Sequence, residues 1–270
     1  MIKPTIRKPR GILNRKAGEK KFQLSRHLPA QELSFFIEHY WIVSWDLSGH
    51  EPYIQETLPY PCVHVVIEKD QSRVYGVQTG KFARLLENKG RVFGIKFKPG
   101  AFYPFVKWPV SQFTNDTISF WDAFGVDSKA LEEAMLPRLD EGQMIEIAEK
   151  FLRERLPEQD TNVMVINEIV DSIIAHQEIT KVDDVVSRFN LNKRTLQRLF
   201  RQYVGVSPKW VIKRYRLHEV AERLADDEAV DWLQMVFELG YSDQAHFIKD
   251  FKTIVGSTPA EYAKHIGRLV

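Results

Sequence analysis

At 270 residues, with 44% hydrophobic and 27% charged side chains, the chain has an ordinary soluble globular composition and the length for two cores. Its net charge of +2 excludes the global basicity that would by itself mark a polyanion binder, so any such signal must be local. Cys62 is the only cysteine, which excludes an intramolecular disulfide, a multi-cysteine zinc site and a CxxC redox pair.

Residues 1–21 hold eight Lys/Arg against Glu19 alone and lack the apolar centre of a signal peptide. A mobile solvated tail and an arm lying on a nucleic-acid backbone or on the other domain are both open readings. No apolar run reaches membrane-spanning length, so a cytoplasmic protein with no membrane partner is expected. From Pro29, "PAQELSFFIEHYWIVSWDL" predicts an amphipathic helix running into a strand. Further strands are predicted in "PCVHVVIEKD", "SRVYGVQTG" and "GRVFGIKFKPG". In the last, Phe93, Ile95 and Phe97 alternate with Val92, Gly94, Lys96 and Lys98, the pattern of a half-buried strand.

Helices follow around 128–136 and 142–156, so the N-terminal half reads as an α+β domain with a small antiparallel sheet or partial barrel. Trp41, Trp45, Trp108 and Trp121 allow an aromatic-lined ligand pocket as well as plain core packing. Trp41, Trp45 and His64 are the candidate pocket residues. Cys62 and His64 share one strand face, but two such side chains do not make a metal site. The chain has no GxSxG, HExxH, P-loop or GxGxxG motif, so neither a catalytic residue nor a cofactor is assigned.

The polar stretch "RERLPEQDTN" separates two patterned regions and places a domain boundary at 158/159. Beyond it, Val163, Ile166, Ile169, Val170, Ile173 and Ile174 fall at helical spacing. "TKVDDVVSRFNLNKRTLQRLFRQYVG" reads as two helices joined by a very short turn. Thr180 with Asp183 opens the first helix, Asn190 sits in the turn, Asn192 caps the second and Gly205 stops it. On the second helix, Leu196, Leu199, Phe200 and Tyr203 form an apolar stripe, and Arg194, Gln197, Arg198 and Arg201 form a separate polar one. Arginine can fork onto guanine O6/N7 and glutamine onto adenine N6/N7, so this face fits the major groove. A solvated cationic face gives the same pattern. From Lys193 to Arg216 there are eight Lys/Arg and no acid; from Glu219 to Asp243 there are eight acids and one arginine.

The chain then repeats itself. "FRQYVGVSPKW" from Phe200 matches "FKTIVGSTPAEY" from Phe251 at an offset of 51, in the phenylalanine, valine, glycine and proline positions. Leu239-Gly240-Tyr241-Ser242 aligns with Phe189-Asn190-Leu191-Asn192 at an offset of 50. Two helix-turn-helix units are therefore predicted, at 180–205 and 230–256, joined by a helix at 208–225. Asp231 and Ser242 are the expected caps in the second unit. Its helix is expected to start with one extra residue, which Gln244 occupies. The repeat is expected to close two small cores of its own, so that 160–270 folds alone.

"LQRLFRQYVGVSP", "RYRL" at 214–217 and above all "LGYSDQAHFIKDFKTIVGSTPAEY" resemble the AraC/XylS family of bacterial transcription regulators over about 165–265. The resemblance implies an all-α DNA-binding domain whose two recognition helices enter successive major-groove segments of promoter DNA. It implies reading by Arg194, Gln197 and Arg198 in the first helix and by Gln244, Ala245 and Lys249 in the second. Lys193, Arg201, Ile248 and Lys252 complete the candidate DNA contacts. Three positions depart from the family pattern. Val186 and Val236 replace turn-helix alanines, Ile248 replaces a small polar residue, and Asp250 adds a negative charge. "LPYPCVHVVI…FGIKFKPGAFYPF" resembles the sensor domain of one branch of that family. RNA polymerase contact, a small-molecule effector and a homodimer through the N-terminal domain belong to what the resemblance implies.

Two other readings stay open: a DNA-repair enzyme carrying a reactive cysteine in front of the same module, and a regulator controlled by a protein partner.

Overall fold

Period-two patterning organises the N-terminal half of the computed structural model, which describes Gly18, residues 20–138 and 140–225, Val236, Gly240, Tyr241 and residues 243–265. The longest strands, β2 (Ile37–Asp46) and β7 (Lys89–Phe97), pair antiparallel along almost their whole length. β1 (Gln23–His27) adds to β2, and β4 (His64–Ile67) adds to β7. β5 (Arg73–Tyr75) and the short β8 (Thr117–Ile118) extend the sheet. The result is an open six-stranded antiparallel sheet in the order β1-β2-β7-β4-β5-β8, not a closed barrel. β3 (Tyr53–Thr57) and β6 (Phe82–Leu86) pair separately as a two-stranded ribbon.

One sheet face carries Tyr40, Ile42, Val65, Phe93, Ile95 and Phe97 into a core completed by the short helices α1 (Tyr103–Val106) and α2 (Phe120–Phe124) and by α3 (Lys129–Met135) and α4 (Glu141–Arg153). The opposite face, expected to be half-exposed, is covered too: Val92 and Lys96 are both buried. The helix expected from Pro29 shortens to a 3-10 turn at Gln31–Leu33. The aromatic and β-branched run that follows, "FFIEHYWIVSW", has strand periodicity and takes the chain into the sheet almost at once.

The C-terminal half is all-helical among the described residues. α5 (Thr161–Ala175) is capped by Asp160, whose carboxylate accepts from the Asn162 N–H, and it buries the stripe from Val163 to Ile173. α6 (Val182–Phe189) ends at Asn190, which takes the left-handed conformation at φ 48° that asparagine tolerates. The cap carboxylate of α6 is Asp184, which accepts from the Thr180 and Lys181 N–H groups; Asp183 points outward to Lys193 instead. α7 (Lys193–Leu199) is capped by Asn192 and runs on through a π-helical turn, Phe200–Val204, to Gly205 at φ 96°. α8 (Pro208–Ala225) starts at its expected first residue and runs to the last described residue of that stretch. α9 (Gln244–Val255) ends at Gly256 and is followed by α10 (Pro259–His265). The expected opening helix of the second unit and its Asp231 and Ser242 caps lie outside the described residues, Val236 apart, as does nearly all of the basic segment 1–21.

The helical half does not close its own cores. Ala101, Phe102, Val110 and Phe113 belong to the same buried cluster as Val163, Ile166, Phe200 and Tyr203. Across that seam the Thr114 hydroxyl donates to the Gly205 carbonyl (2.8 Å), and Gln202 donates to the Tyr103 hydroxyl (2.6 Å). The second cluster, built on Leu217, Val220, Phe247, Phe251 and Tyr262, takes Leu58 from the N-terminal half.

Candidate functional site

The two helix-turn-helix units share a turn hydrogen bond and a left-handed turn residue. The Leu191 N–H donates to the Val186 carbonyl and the Tyr241 N–H to the Val236 carbonyl, both at 3.1 Å. Asn190 and Gly240 occupy the same left-handed position, fifty residues apart. Asp243 caps α9 by accepting from the His246 N–H, fifty-one residues after Asn192 caps α7. The extra residue therefore falls in the turn, before the cap, and Gln244 is the counterpart of Lys193 and not an extension of the helix. Val186 and Val236 pack where alanine was the expected family residue, and Val236 is fully within the second core.

Lys193, Arg194, Gln197, Arg198 and Arg201 are all exposed on α7, while Leu196, Leu199 and Phe200 are buried behind them. Among the described residues, the side chains of Arg194, Gln197, Arg198 and Arg201 make no hydrogen bond or ion pair. Lys193 pairs with Asp183 at 2.7 Å, a surface contact of small energetic weight. On α9, Gln244, Ala245, Lys249 and Lys252 are exposed. Ile248 is half-buried and packs on the second core, which leaves little of it for a ligand. Asp250 turns inward, where it is paired by Lys213 and approached by His246, so its charge is neutralised away from the exposed face.

Two arginines of the "RYRL" stretch turn away from solvent. Arg216 donates to the Ile173 and His176 carbonyls, satisfying the C-terminal end of α5, and pairs with Glu219 at 3.1 Å. Arg214, fully buried, donates from Nη2 to the Thr79 carbonyl (2.8 Å) and more loosely to Gln78 and Gly80 in the N-terminal half. Its Nε and Nη1 have no partner, and burial pulls its guanidinium down to about 10. The junction is held by a buried cation with no carboxylate partner, compensated by backbone carbonyls and by the Trp210 ring 4.7 Å from its guanidinium carbon.

Beside that junction a cavity of about 850 Å³ lies between the second sheet face, the β3–β6 ribbon, and helices α5 and α8. Trp41, Trp45 and His64 all line it, whereas Trp108 packs on Phe113 and Trp121 is exposed. Trp41 and Trp45 stand opposite Gly94 and Gly90 in the β2–β7 register. A β-carbon at Gly94 would come within 1.9 Å of the Trp41 ring, and one at Gly90 within 2.2 Å of the Trp45 ring. The missing β-carbons are what let both indoles lie on the strand. These glycines escaped sequence reasoning, although two W-x3-W and G-x3-G spacings on paired strands carried the signal.

The Trp41 indole N–H donates to His64 Nδ1 at 3.2 Å. Indole has only a donor, so Nδ1 accepts and the proton sits on Nε2. Burial, with Lys96 adding to it, pushes the His64 pKa down to about 3, so the ring is neutral. Burial opposes ionisation of Glu38, but Lys96 and His39 outweigh it and hold that carboxyl well below its usual range. The Cys62 thiol is buried and pushed up to about 12. Among the described residues no cluster of three or more His, Cys, Asp or Glu could hold a metal, and no helix is long and apolar enough to cross a membrane.

Comparison with known proteins matches the two halves of the chain to two different families. Residues 185–265 match the family described as a helix-turn-helix domain, and residues 25–119 match one described as a domain of unknown function (DUF6597). An HTH-type transcriptional regulator of Bacillus subtilis (strain 168), YtdP, is 26% identical over 168 residues, covering 57% of this chain and 21% of its own length. A chain described as a probable transcription factor, PqrA, of Proteus vulgaris is 27% identical over 104 residues, covering 37% of this chain and 84% of its own. A crystal structure of a transcriptional regulator with an AraC-type DNA-binding domain from Chromobacterium violaceum aligns with 25% identity and a TM-score of 0.34, covering 38% of this chain and 92% of that one. The chain thus spans about a fifth of the first of these relatives.

Proposed function

From the premise that the C-terminal part of this chain is an AraC-type helix-turn-helix DNA-binding domain, we propose that the protein is a sequence-specific transcription regulator that answers to an effector. One observation carries the reading. Two helices, each preceded by the same turn, present long polar or cationic side chains that the rest of the described chain leaves free for major-groove contacts. Arg194, Gln197 and Arg198 read bases in the first segment, with Gln244 and Lys249 as the polar readers in the second. Lys193, Arg201 and Lys252 lie on phosphates; Ala245 and Ile248 offer apolar contact. RNA polymerase contact during activation and dimerisation through the sheet domain complete the proposal. Binding-site selection on randomised DNA tests it: enrichment of a bipartite site with half-sites about one helical turn apart is expected, and recovery of unrelated sequences would refute it.

Replacing Arg201 or Lys252 with Ala should weaken binding to all sequences alike and reduce the slope of log K against log salt by about one. Titrations between low and physiological salt check this; a change in base preference from either variant would mean it touches bases.

The reading with a reactive cysteine is disfavoured by Cys62 itself. A thiol pushed up to about 12 and buried in the cavity wall has almost no thiolate at neutral pH. Ellman's reagent should therefore leave the native chain unmodified over hours and react with one thiol after denaturation. Rapid reaction of the native chain would revive the enzyme reading.

A further inference from the structure

We infer that the cavity between the sheet and the C-terminal helices is the site of an uncharged, planar aromatic effector that lies against Trp41 and Trp45 and accepts a hydrogen bond from His64. This rests on the regulator reading only for its consequence on DNA; binding itself does not depend on it.

The floor of the cavity is flat for a specific reason. Gly94 and Gly90 give the indoles contact with the strand backbone, and a ring pressed onto backbone on one side presents its other face to the space above. Trp41 and Trp45 lie four residues apart on one strand, about 13 Å, which suits a fused-ring molecule or two linked rings. Aromatic surfaces prefer offset stacking on such a floor. The facing wall is supplied by Val170 and Ile174 of α5, so a bound molecule would touch both halves of the chain.

Charge weighs against an ion lying on the indoles: three of the five cationic side chains that line the cavity, Lys96, Arg84 and Arg216, are held by its carboxylates. Of the four carboxylates lining the cavity, Glu38 is paired with Lys96 (3.1 Å), Glu68 with Arg84 (2.5 Å) and Glu219 with Arg216 (3.1 Å). The fourth, Asp171, is exposed. A charged ligand seated on the indoles would have to displace a member of one of these pairs and leave the other buried and alone, a costly exchange, whereas the lining charges outside such pairs, Asp171 and Lys98, are exposed and half-buried. Beside the two indoles, the polar group left without a hydrogen bond among the described residues is the His64 Nε2–H. Nδ1 is taken by Trp41, and Nε2 has no partner among the described residues. A neutral donor at the wall of an aromatic slot recognises a carbonyl or ether oxygen.

Calorimetry on the full chain with three probes tests the inference. Coumarin is planar, neutral and has a carbonyl acceptor; coumarin-3-carboxylate adds a charge; octahydrocoumarin keeps the acceptor and loses the ring planarity. Saturable one-to-one binding of coumarin is expected, at least tenfold tighter than either analogue. Trp41→Leu and His64→Leu should each weaken coumarin at least fivefold with the circular dichroism spectrum unchanged. Should either fail to fold, Ile174→Trp, which fills the slot from the opposite wall, should abolish binding. No saturable binding of coumarin, equal or tighter binding of an analogue, or indifference to the variants would each overturn the inference. The DNA selection described above runs in parallel. A chain that selects a site but takes up no coumarin refutes this inference alone, and one that binds coumarin but selects no site refutes the regulator reading alone.

Discussion

Phe102→Ala should lower the stability of the whole chain by about 3–5 kcal/mol, the usual cost of truncating a buried phenylalanine. Phe102 is fully buried beneath the sheet, stacked on Phe105 and edge-to-face with Phe97 and Phe113, in the cluster that continues into α5 and the end of α7. Because that cluster is continuous, the loss should be shared. Denaturant unfolding monitored by hydrogen exchange should show amides of β7 and of α5 losing protection together. For the same reason residues 159–270 expressed alone should expose the faces of Ile166, Tyr203 and Leu217 and bind a hydrophobic dye. If α5 keeps full protection while the sheet is weakened, the two halves are energetically independent and the shared core is only a contact.

Gln197→Ala should relax base preference at one or two pairs of the first half-site by about 1–3 kcal/mol, the worth of a bidentate side chain–base contact. Ile248→Ala, at the matching place in α9, should change preference little, because Ile248 is half-buried against the second core. With Arg194, Gln197 and Arg198 all exposed and unpaired, the first half-site should be the more stringent. Selection on randomised DNA with each variant measures this, and a second half-site more constrained than the first would reverse the roles of the helices.

What was legible in the sequence was local. Asn190, Asn192, Gly205 and Gly256 stand where turn and cap chemistry put them, and α8 starts at its expected proline, because these features depend on neighbours a few residues away. What was not legible depended on partners far along the chain. Asp184 rather than Asp183 closes the start of α6, a choice made by one residue of helical phase. β3 and β6 carry mixed sequences such as "FARLL" and become strands only by pairing with each other. The basic run from Lys193 to Arg216 looks uniform, yet Lys193 and Lys213 are paired and Arg214 and Arg216 are buried. That leaves Arg194, Arg198, Arg201 and Lys209 as its exposed cations outside any ion pair, with Lys193 exposed but paired, a smaller field than the eight-residue count implies. Self-contained cores in the repeat failed as an expectation because an apolar stripe does not reveal which surface will cover it.

The pairing of each indole with a glycine across β2 and β7 ties distant positions to one another through evolution. A related chain that gains a β-carbon at position 94 has no room for the indole at 41, and one that loses Trp41 no longer needs a glycine at 94. The same holds for 45 and 90. Among diverged descendants of this sequence the four positions should therefore change as two linked couples, and a descendant that keeps both couples should keep the flat floor of the cavity even where the surrounding polar groups have drifted.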